Sequence, residues 1–199
     1  ATSWIINKVL KNHGGLHNRV NLRISLQPFT LHECELYAKN MGIRATRYEL
    51  LEYYMVLGGV AFYWSLLDKG KSVAQNIDSL LFSRTGQLHN EFNELYDSLF
   101  NNPEPYLRVI DTLGIIKVGL PRTKLLEKIS MPSGAYATRI LDDLEECGFI
   151  RKYNAFGKKR NDAIYQLIDN FTLFYFKFMK DNKGDDEHFW SHSYLSPVR

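Results

Sequence analysis

The sequence lacks the features that mark several large classes of protein. It has only two cysteines, Cys34 and Cys147, and they form no CxxC pair, which is typical of reduced cytosolic thiols rather than of a disulfide framework. No apolar run reaches the roughly 18 residues that a membrane span needs. No charged stretch followed by an apolar one predicts a signal peptide. We therefore expect a cytoplasmic protein with no membrane partner.

Motifs for nucleotide chemistry and for metals are also missing. The sequence has no GxxxxGKS or GxxxxGKT loop and no GxGxxG, and its glycine pairs at 14–15 and 58–59 are better explained as helix stops. Histidines spaced i, i+4 need a third ligand to hold a metal, and none of matching geometry is evident near the pairs His13/His17 and His188/His192. We predict no catalytic residue and no metal site in this chain.

What remains is an ordinary globular composition. The 199 residues are 45% hydrophobic and 24% charged, with a net charge of +3. The length allows one large domain or two small ones. A charge balance this close to zero does not by itself argue for nucleic acid.

The first 29 residues predict one helix and one strand. Residues 3–12 place apolar side chains on one helical face, and residues 20–26 alternate strictly, with Val20, Leu22, Ile24 and Leu26 on one side. One helix and one strand cannot bury an adequate core. Since the chain also opens without Met, we expect residues 1–29 to be a small α/β remnant of a longer protein.

Residues 30–103 have helical patterns throughout. Thr30 can cap a helix with Glu33 as its capping-box partner. A second helix reaches Leu57, another begins at Ser72, and residues 88–100 form an amphipathic one. The polar turn with proline at 101–103 is the best linker candidate.

Residues 104–170 show the order of a winged helix-turn-helix. One helix is lined by Tyr106, Val109, Ile110 and Leu113, a second covers Pro121–Ile129, and a third follows the turn at 130–132. The third helix has Ala137, Ile140, Leu141 and Leu144 inward and Gly148 as its stop. Two strands, 149–155 and 163–169, then flank a basic loop. The predicted fold class is therefore mainly α, a helical bundle followed by a winged helix-turn-helix.

This predicted winged helix has candidate residues for binding double-stranded DNA. Cations in the loop could neutralise phosphates, and the start of the third helix offers polar groups for base edges. The candidates are Arg122, Ser133, Tyr136, Thr138, Arg139, Lys158, Lys159 and Arg160. The C-terminal half of the same helix, however, has Asp142, Asp143, Glu145 and Glu146, which would repel a duplex. Two interpretations of the winged helix are therefore equally favoured. In one it binds DNA, and in the other it only packs against another domain or relays movement to it.

Four segments, taken in order, resemble the AAA-like, STAND-related P-loop ATPase family of bacteria and archaea. They are GGLHNRVNLRISLQPFTLHE (14–33), YYMVLGGVAFYWSLLDKGKSVAQNID (53–78), LHNEFNELYDSLF (88–100) and IYQLIDNFTLFYFKFM (164–179). The resemblance implies that residues 1–29 end the ATPase core, 30–103 form the helical lid, and 104–170 form the winged helix. Residues 171–199 would be an aromatic helix and a tail leading to a nuclease-like domain, which is absent.

The resemblance also implies a set of nucleotide-proximal residues. They are Thr2, Ser3, Arg19, Gly58 and Gly59, with Ala61 standing where the family's Gly-Gly-x-Pro motif has proline. ATP and Mg²⁺ would bind the parent protein, whose phosphate-binding loop would precede residue 1. This chain would bind neither tightly and would not hydrolyse ATP.

Three hypotheses follow for function. The first is a non-catalytic C-terminal part of such an ATPase, which couples nucleotide state through the lid to a winged helix with DNA as a possible partner. The second is a stand-alone winged-helix transcriptional regulator, with residues 1–100 as a sensor or dimerisation domain. The third is a protein-interaction module that uses the aromatic helix at 171–179.

Overall fold

Helices dominate the part of the chain that the computed structural model describes, which is Leu22, Ile24 and residues 26–154, 163–182 and 184–194. The chain divides into two compact units. The helical unit runs from Gln27 to Leu95 and includes the residues from Asn170 onward, whereas the sheet unit contains Tyr96–Asp169. The fold is thus mainly α, as predicted.

In chain order the described helices are α1 (Leu31–Asn40), α2 (Arg47–Leu57), α3 (Ala61–Ser65), α4 (Val73–Ile77), α5 (Glu91–Leu99), α6 (Glu104–Ile115), α7 (Arg122–Lys128), α8 (Ala135–Glu146), α9 (Asn170–Phe174) and α10 (Phe189–Tyr194). Two π-helical segments, Asp78–Phe82 and Tyr175–Met179, directly continue α4 and α9. The described strands are β1 (Leu120–Pro121), β2 (Ile150–Asn154) and β3 (Ala163–Leu167).

The first helices begin at side chains that cap them. The Thr30 hydroxyl accepts the Glu33 N–H at 3.3 Å, and the Glu33 carboxylate accepts the Thr30 N–H at 2.7 Å. This reciprocal pair satisfies backbone donors that a helix start otherwise leaves open, so the predicted capping box is confirmed. Thr46 and Glu49 form the same arrangement before α2.

Aromatic rings from both ends of the helical unit pack together. Phe171 is buried and lies 5.4 Å from the Tyr63 ring, centroid to centroid. Tyr175 stacks on Phe92 at 3.8 Å with an interplanar angle of 3°. The sequence-based division set residues 171–199 apart, but the described residues from Asn170 onward complete the core of the helical unit.

The sheet unit packs three helices on a small antiparallel sheet of strand order β1-β3-β2. Leu120 pairs with Tyr165, and Ile150 pairs with Leu167. The residues predicted to face inward from α6 and α8 are all buried: Tyr106, Val109, Ile110, Leu113, Ala137, Ile140, Leu141 and Leu144. Gly148 follows α8 with φ 81°, the left-handed conformation in which glycine ends helices.

The predicted strand at 20–26 is not seen where it can be assessed. Leu22, Ile24 and Leu26 lie in no strand, and their exposed fractions are 75%, 72% and 90%. For these three residues the half-buried strand is wrong, because alternation buries a face only where a neighbouring strand and a core receive it. The predicted helix at 3–12 lies outside the described residues. No described helix is both long and apolar enough to cross a bilayer.

Candidate nucleic-acid interface

The N-terminal half of α8 presents polar side chains to solvent. Tyr136, Thr138 and Arg139 are exposed there, opposite the buried Ala137 and Ile140. The first turn has no acidic residue. This half of the helix therefore combines a positive backbone end with hydrogen-bonding side chains and no carboxylate of its own.

Arg122 joins α7 to the start of α8. Its Nη1 donates to the Ser133 hydroxyl at 2.9 Å, and its Nη2 donates to the Thr138 hydroxyl at 2.9 Å. The Thr138 hydroxyl in turn donates to the Gly134 carbonyl at 3.0 Å. These bonds use two of the five N–H donors of the guanidinium, so it can orient the turn and still donate to an anion.

The Arg139 guanidinium lies over the Tyr136 ring, 5.8 Å from its centroid. The two side chains project from adjacent turns of α8, as residues three apart on a helix do. The structure thus brings five of the predicted DNA-binding residues to one end of α8, and we name them the helix-start cluster: Arg122, Ser133, Tyr136, Thr138 and Arg139.

One of the four carboxylates that weighed against DNA binding is not on the surface. Asp143 is 7% exposed, and its Oδ2 accepts the Tyr106 hydroxyl at 2.7 Å. Burial and this carboxylate raise the pKa of Tyr106, so the phenol remains the donor. Tyr106 also stacks on Phe100 at 3.8 Å. The carboxylates exposed on α8 are therefore Asp142, Glu145 and Glu146, all in its C-terminal half.

The basic loop between β2 and β3 holds the other predicted DNA-binding residues. Lys158, Lys159 and Arg160 lie outside the described residues, so their role stays a prediction. Arg151 and Lys152, which precede them on β2, point to opposite faces of the sheet, as neighbours on a strand do.

Two of the predicted nucleotide-proximal residues form a close crossing of backbone segments. Gly58 follows α2 with φ 60°, and its carbonyl accepts the Trp64 indole N–H at 2.8 Å. The Gly59 carbonyl accepts the Phe29 N–H at 2.8 Å. The pair ends α2, which confirms the predicted helix stop. Thr2, Ser3 and Arg19 lie outside the described residues.

His192 and Cys34 give no second candidate site in the described part of the chain. His192 Nδ1 lies 2.7 Å from the Asp186 carboxylate, and no cluster of three His, Cys, Asp or Glu suited to a metal occurs in the described residues. Burial raises the pKa of the Cys34 thiol to about 11, which suppresses the reactive thiolate.

Sequence reasoning missed the buried amide of Asn76 and the buried carboxylate of Asp78. The Asp78 carboxylate accepts the backbone N–H of Trp190 at 2.7 Å and that of Ser191 at 3.1 Å. No local signal could have found this contact, since the partners lie more than a hundred residues along the chain.

In comparisons with protein-family models, curated proteins and solved structures, nothing matches this chain.

Proposed function

We propose that residues 104–170 form a winged helix that binds double-stranded DNA through the N-terminal half of α8. The order α6, β1, α7, α8, β2, β3 and the antiparallel sheet support this proposal. In helix-turn-helix proteins the second helix of the pair enters the major groove and its first residues contact base edges. Here that helix is α8.

The helix-start cluster carries the proposal. It places an arginine, a tyrosine and a threonine on an exposed helix start with no acidic residue in the first turn. Arg139 would donate to guanine O6 and N7, the commonest specific contact in the major groove. Arg122 would hold a backbone phosphate beside the Ser133 hydroxyl. The exposed carboxylates of α8 would be directed away from the duplex by their position at the far end of the helix.

Binding of a labelled mixed-sequence duplex, followed by fluorescence anisotropy over increasing salt, tests this proposal. We expect wild-type affinity to fall steeply with salt, because each neutralised phosphate contributes a slope of about −0.9 in log K against log salt. On a duplex sequence that the wild type prefers, the Arg139→Gln variant should lose about 1–3 kcal/mol of binding free energy. The triple variant Lys158/Lys159/Arg160→Ala should flatten the slope by about 1 for each phosphate contact removed.

Lys39→Gln is the charge-matched control, since Lys39 is an exposed cation at the end of α1, outside the proposed interface. Its duplex affinity should equal that of the wild type. If the wild type fails to bind any duplex at low salt, or if Lys39→Gln weakens binding as much as Arg139→Gln, DNA recognition by α8 is excluded. The first of these results would favour the winged helix as a relay or packing module.

We further propose that residues 30–103 are the helical lid of an AAA-like P-loop ATPase and transmit nucleotide state to the winged helix. The resemblance of its segments to that family supports this, and so does the position of Gly58 and Gly59 at a backbone crossing. A γ-phosphate that contacts such a turn could bias its angle, as in other phosphate-gated switches.

The lid proposal predicts that this chain alone does not turn over ATP. Hydrolysis depends on groups that position Mg²⁺ and the phosphates, and the sequence has no phosphate-binding loop. A radiolabelled phosphate-release assay with Mg²⁺ should therefore give the buffer rate. Turnover above that rate would contradict the proposal. If duplex binding is sequence-specific and the chain forms a stable dimer, the alternative of a stand-alone transcriptional regulator is favoured instead.

A further inference from the structure

The sheet has a second face that the proposed contact of α8 with DNA does not use. Arg151 pairs with Gln166, and Tyr153 pairs with Ile164. Because successive residues of a strand point to opposite faces, these four side chains share the face opposite the buried Tyr165. We call Arg151, Tyr153, Ile164 and Gln166 the outer sheet face.

Hydrogen bonds fix the polar groups of the outer sheet face. The Gln166 Oε1 accepts Arg151 Nε at 3.0 Å and Nη2 at 2.7 Å. The Gln166 Nε2 donates to the Lys117 carbonyl at 2.7 Å, and the Tyr153 hydroxyl donates to the Val118 carbonyl at 3.2 Å. The segment before β1 therefore anchors the side chains of Tyr153 and Gln166. Because they are already ordered, a ligand that binds them loses less free energy to side-chain ordering.

These bonds also hold two planar groups together. The Arg151 guanidinium carbon lies 5.2 Å from the centroid of the Tyr153 ring, within the range of a cation–π contact. Arg151 itself is exposed. A flat, charged surface backed by an aromatic ring is thus open to solvent.

The charge of this region has one sign. The outer sheet face and residues 116–119 include two cations, Lys117 and Arg151, and no aspartate or glutamate. Val118, which follows Lys117, is 76% exposed. A ligand that complements this surface would be anionic and would offer a flat, partly apolar group.

We propose that the outer sheet face binds single-stranded nucleic acid, with an unpaired base stacked on the Arg151 guanidinium. Bases of single strands stack on aromatic rings and on guanidinium planes, while cations beside them follow the phosphates. Lys117 supplies a cation on the chain segment that carries the anchoring carbonyls. In a duplex the bases are already stacked on one another, so this surface selects unpaired strands. The inference does not depend on α8 binding a duplex.

The test compares a fluorescein-labelled oligo-dT strand with a duplex of equal length, both titrated with the full chain and followed by anisotropy. Arg151→Lys keeps the charge and removes the flat guanidinium, and it should weaken oligo-dT binding by at least about fivefold, since stacking of one base contributes about 1–3 kcal/mol. Arg151→Gln should weaken it further and flatten the salt slope by about 0.7. Duplex affinity should stay within about twofold in both variants.

Two controls separate stacking from folding and from general charge. Tyr153→Phe keeps the ring beneath Arg151 and loses only the bond to the Val118 carbonyl, so it should weaken oligo-dT binding less than Arg151→Lys does. Tyr153→Leu removes the ring and should weaken oligo-dT binding to the same extent as Arg151→Lys. Lys39→Gln removes one exposed cation from the helical unit and should change nothing.

Several results would overturn the inference. They are absence of oligo-dT binding at low salt, equal losses for oligo-dT and duplex, and full oligo-dT affinity in Arg151→Lys. Competition by poly-glutamate as effective as that by unlabelled oligo-dT would also overturn it, because it would indicate a surface for acidic peptides. Loss of duplex binding in Arg139→Gln bears on α8 alone and leaves this inference standing.

Discussion

Replacing Gly59 with alanine is expected to destabilise the helical unit by about 3 kcal/mol, near the upper end for overpacking. A Cβ at this position would lie 2.0 Å from the Phe29 carbonyl oxygen and 2.6 Å from its nitrogen. Both atoms belong to backbone, which cannot turn aside as a side chain can. The backbone segments at Phe29 and Gly59 would have to move apart. They would then lose the 2.8 Å hydrogen bond from the Phe29 N–H to the Gly59 carbonyl.

Urea unfolding measures this effect, with tryptophan fluorescence as a probe because Trp64 is buried and bonded to the neighbouring Gly58. Gly70→Ala is the matched control. Its Cβ would meet only the Asp68 side chain, at 3.3 Å, and that carboxylate can shift. We expect the control to change stability by less than about 0.5 kcal/mol. Equal urea midpoints for Gly59→Ala and the wild type would contradict this prediction, because they would mean that the crossing has room for a Cβ at Gly59.

Features that depend on residues close in sequence could be predicted. The capping box of Thr30 and Glu33 depends on a three-residue spacing, and the buried faces of α6 and α8 depend on helical periodicity. Gly148 ends α8 for an equally local reason. In each case the physical cause lies within a few residues, so the sequence pattern is sufficient.

Features that depend on distant residues could not be predicted. The pattern of 171–179 indicated a helix with an apolar face, but not that Phe171 would pack against Tyr63 in the helical unit. The two-residue strand β1 exists because it pairs with β3, more than forty residues later. The Gly58–Gly59 pair was recognised as a helix stop, yet its contact with Phe29 brings together chain segments thirty residues apart.

The candidate site also has features that the local sequence predicts and features that depend on distant residues. Exposure of Tyr136, Thr138 and Arg139 follows from the periodicity of α8, and the sequence identified all three. The sequence could not show that Asp143 turns inward to Tyr106, because a charged residue on a helix is ordinarily expected to face solvent. That contact matters for the proposed function, since it removes one negative charge from the surface of α8.

The second large effect is expected at Asn76, whose side chain is 1% exposed. Its Oδ1 accepts the Asp68 N–H at 2.8 Å. Its Nδ2 lies within 3.0–3.3 Å of the carbonyl oxygens of Asp68, Lys71 and Ser72 and donates to the Tyr53 hydroxyl at 2.9 Å. Asn76→Asp keeps the shape but replaces the donor with an anionic oxygen that faces three acceptors. We expect a loss of about 3 kcal/mol or more at neutral pH.

The loss in Asn76→Asp should depend on pH with a defined sign. Burial and the carbonyl oxygens raise the pKa of the introduced carboxyl in the folded state above its unfolded value of about 3.9. Between these two pKa values the folded state binds more protons, so stability falls as pH rises. The deficit against the wild type should therefore shrink as pH is lowered, because the protonated carboxyl can donate to a carbonyl again. Burial also raises the pKa of Tyr53 to about 12, so its hydroxyl stays protonated and can donate to the new carboxylate without restoring the other contacts.

Gln75→Glu is the control for the same change of amide to acid one residue earlier. Gln75 is exposed, and its Oε1 accepts the Ser72 N–H at 3.0 Å, a bond that a carboxylate also accepts. A negative charge in the first turn of α4 interacts favourably with the helix dipole, so we expect a change within about 0.5 kcal/mol and no recovery in acid. Urea unfolding of both variants between neutral and mildly acidic pH separates the cases. Two results would contradict this prediction: wild-type stability of Asn76→Asp at neutral pH, or a loss of stability that grows as pH falls. Either would mean that the Asn76 Nδ2 does not hold the 68–72 loop by donating hydrogen bonds.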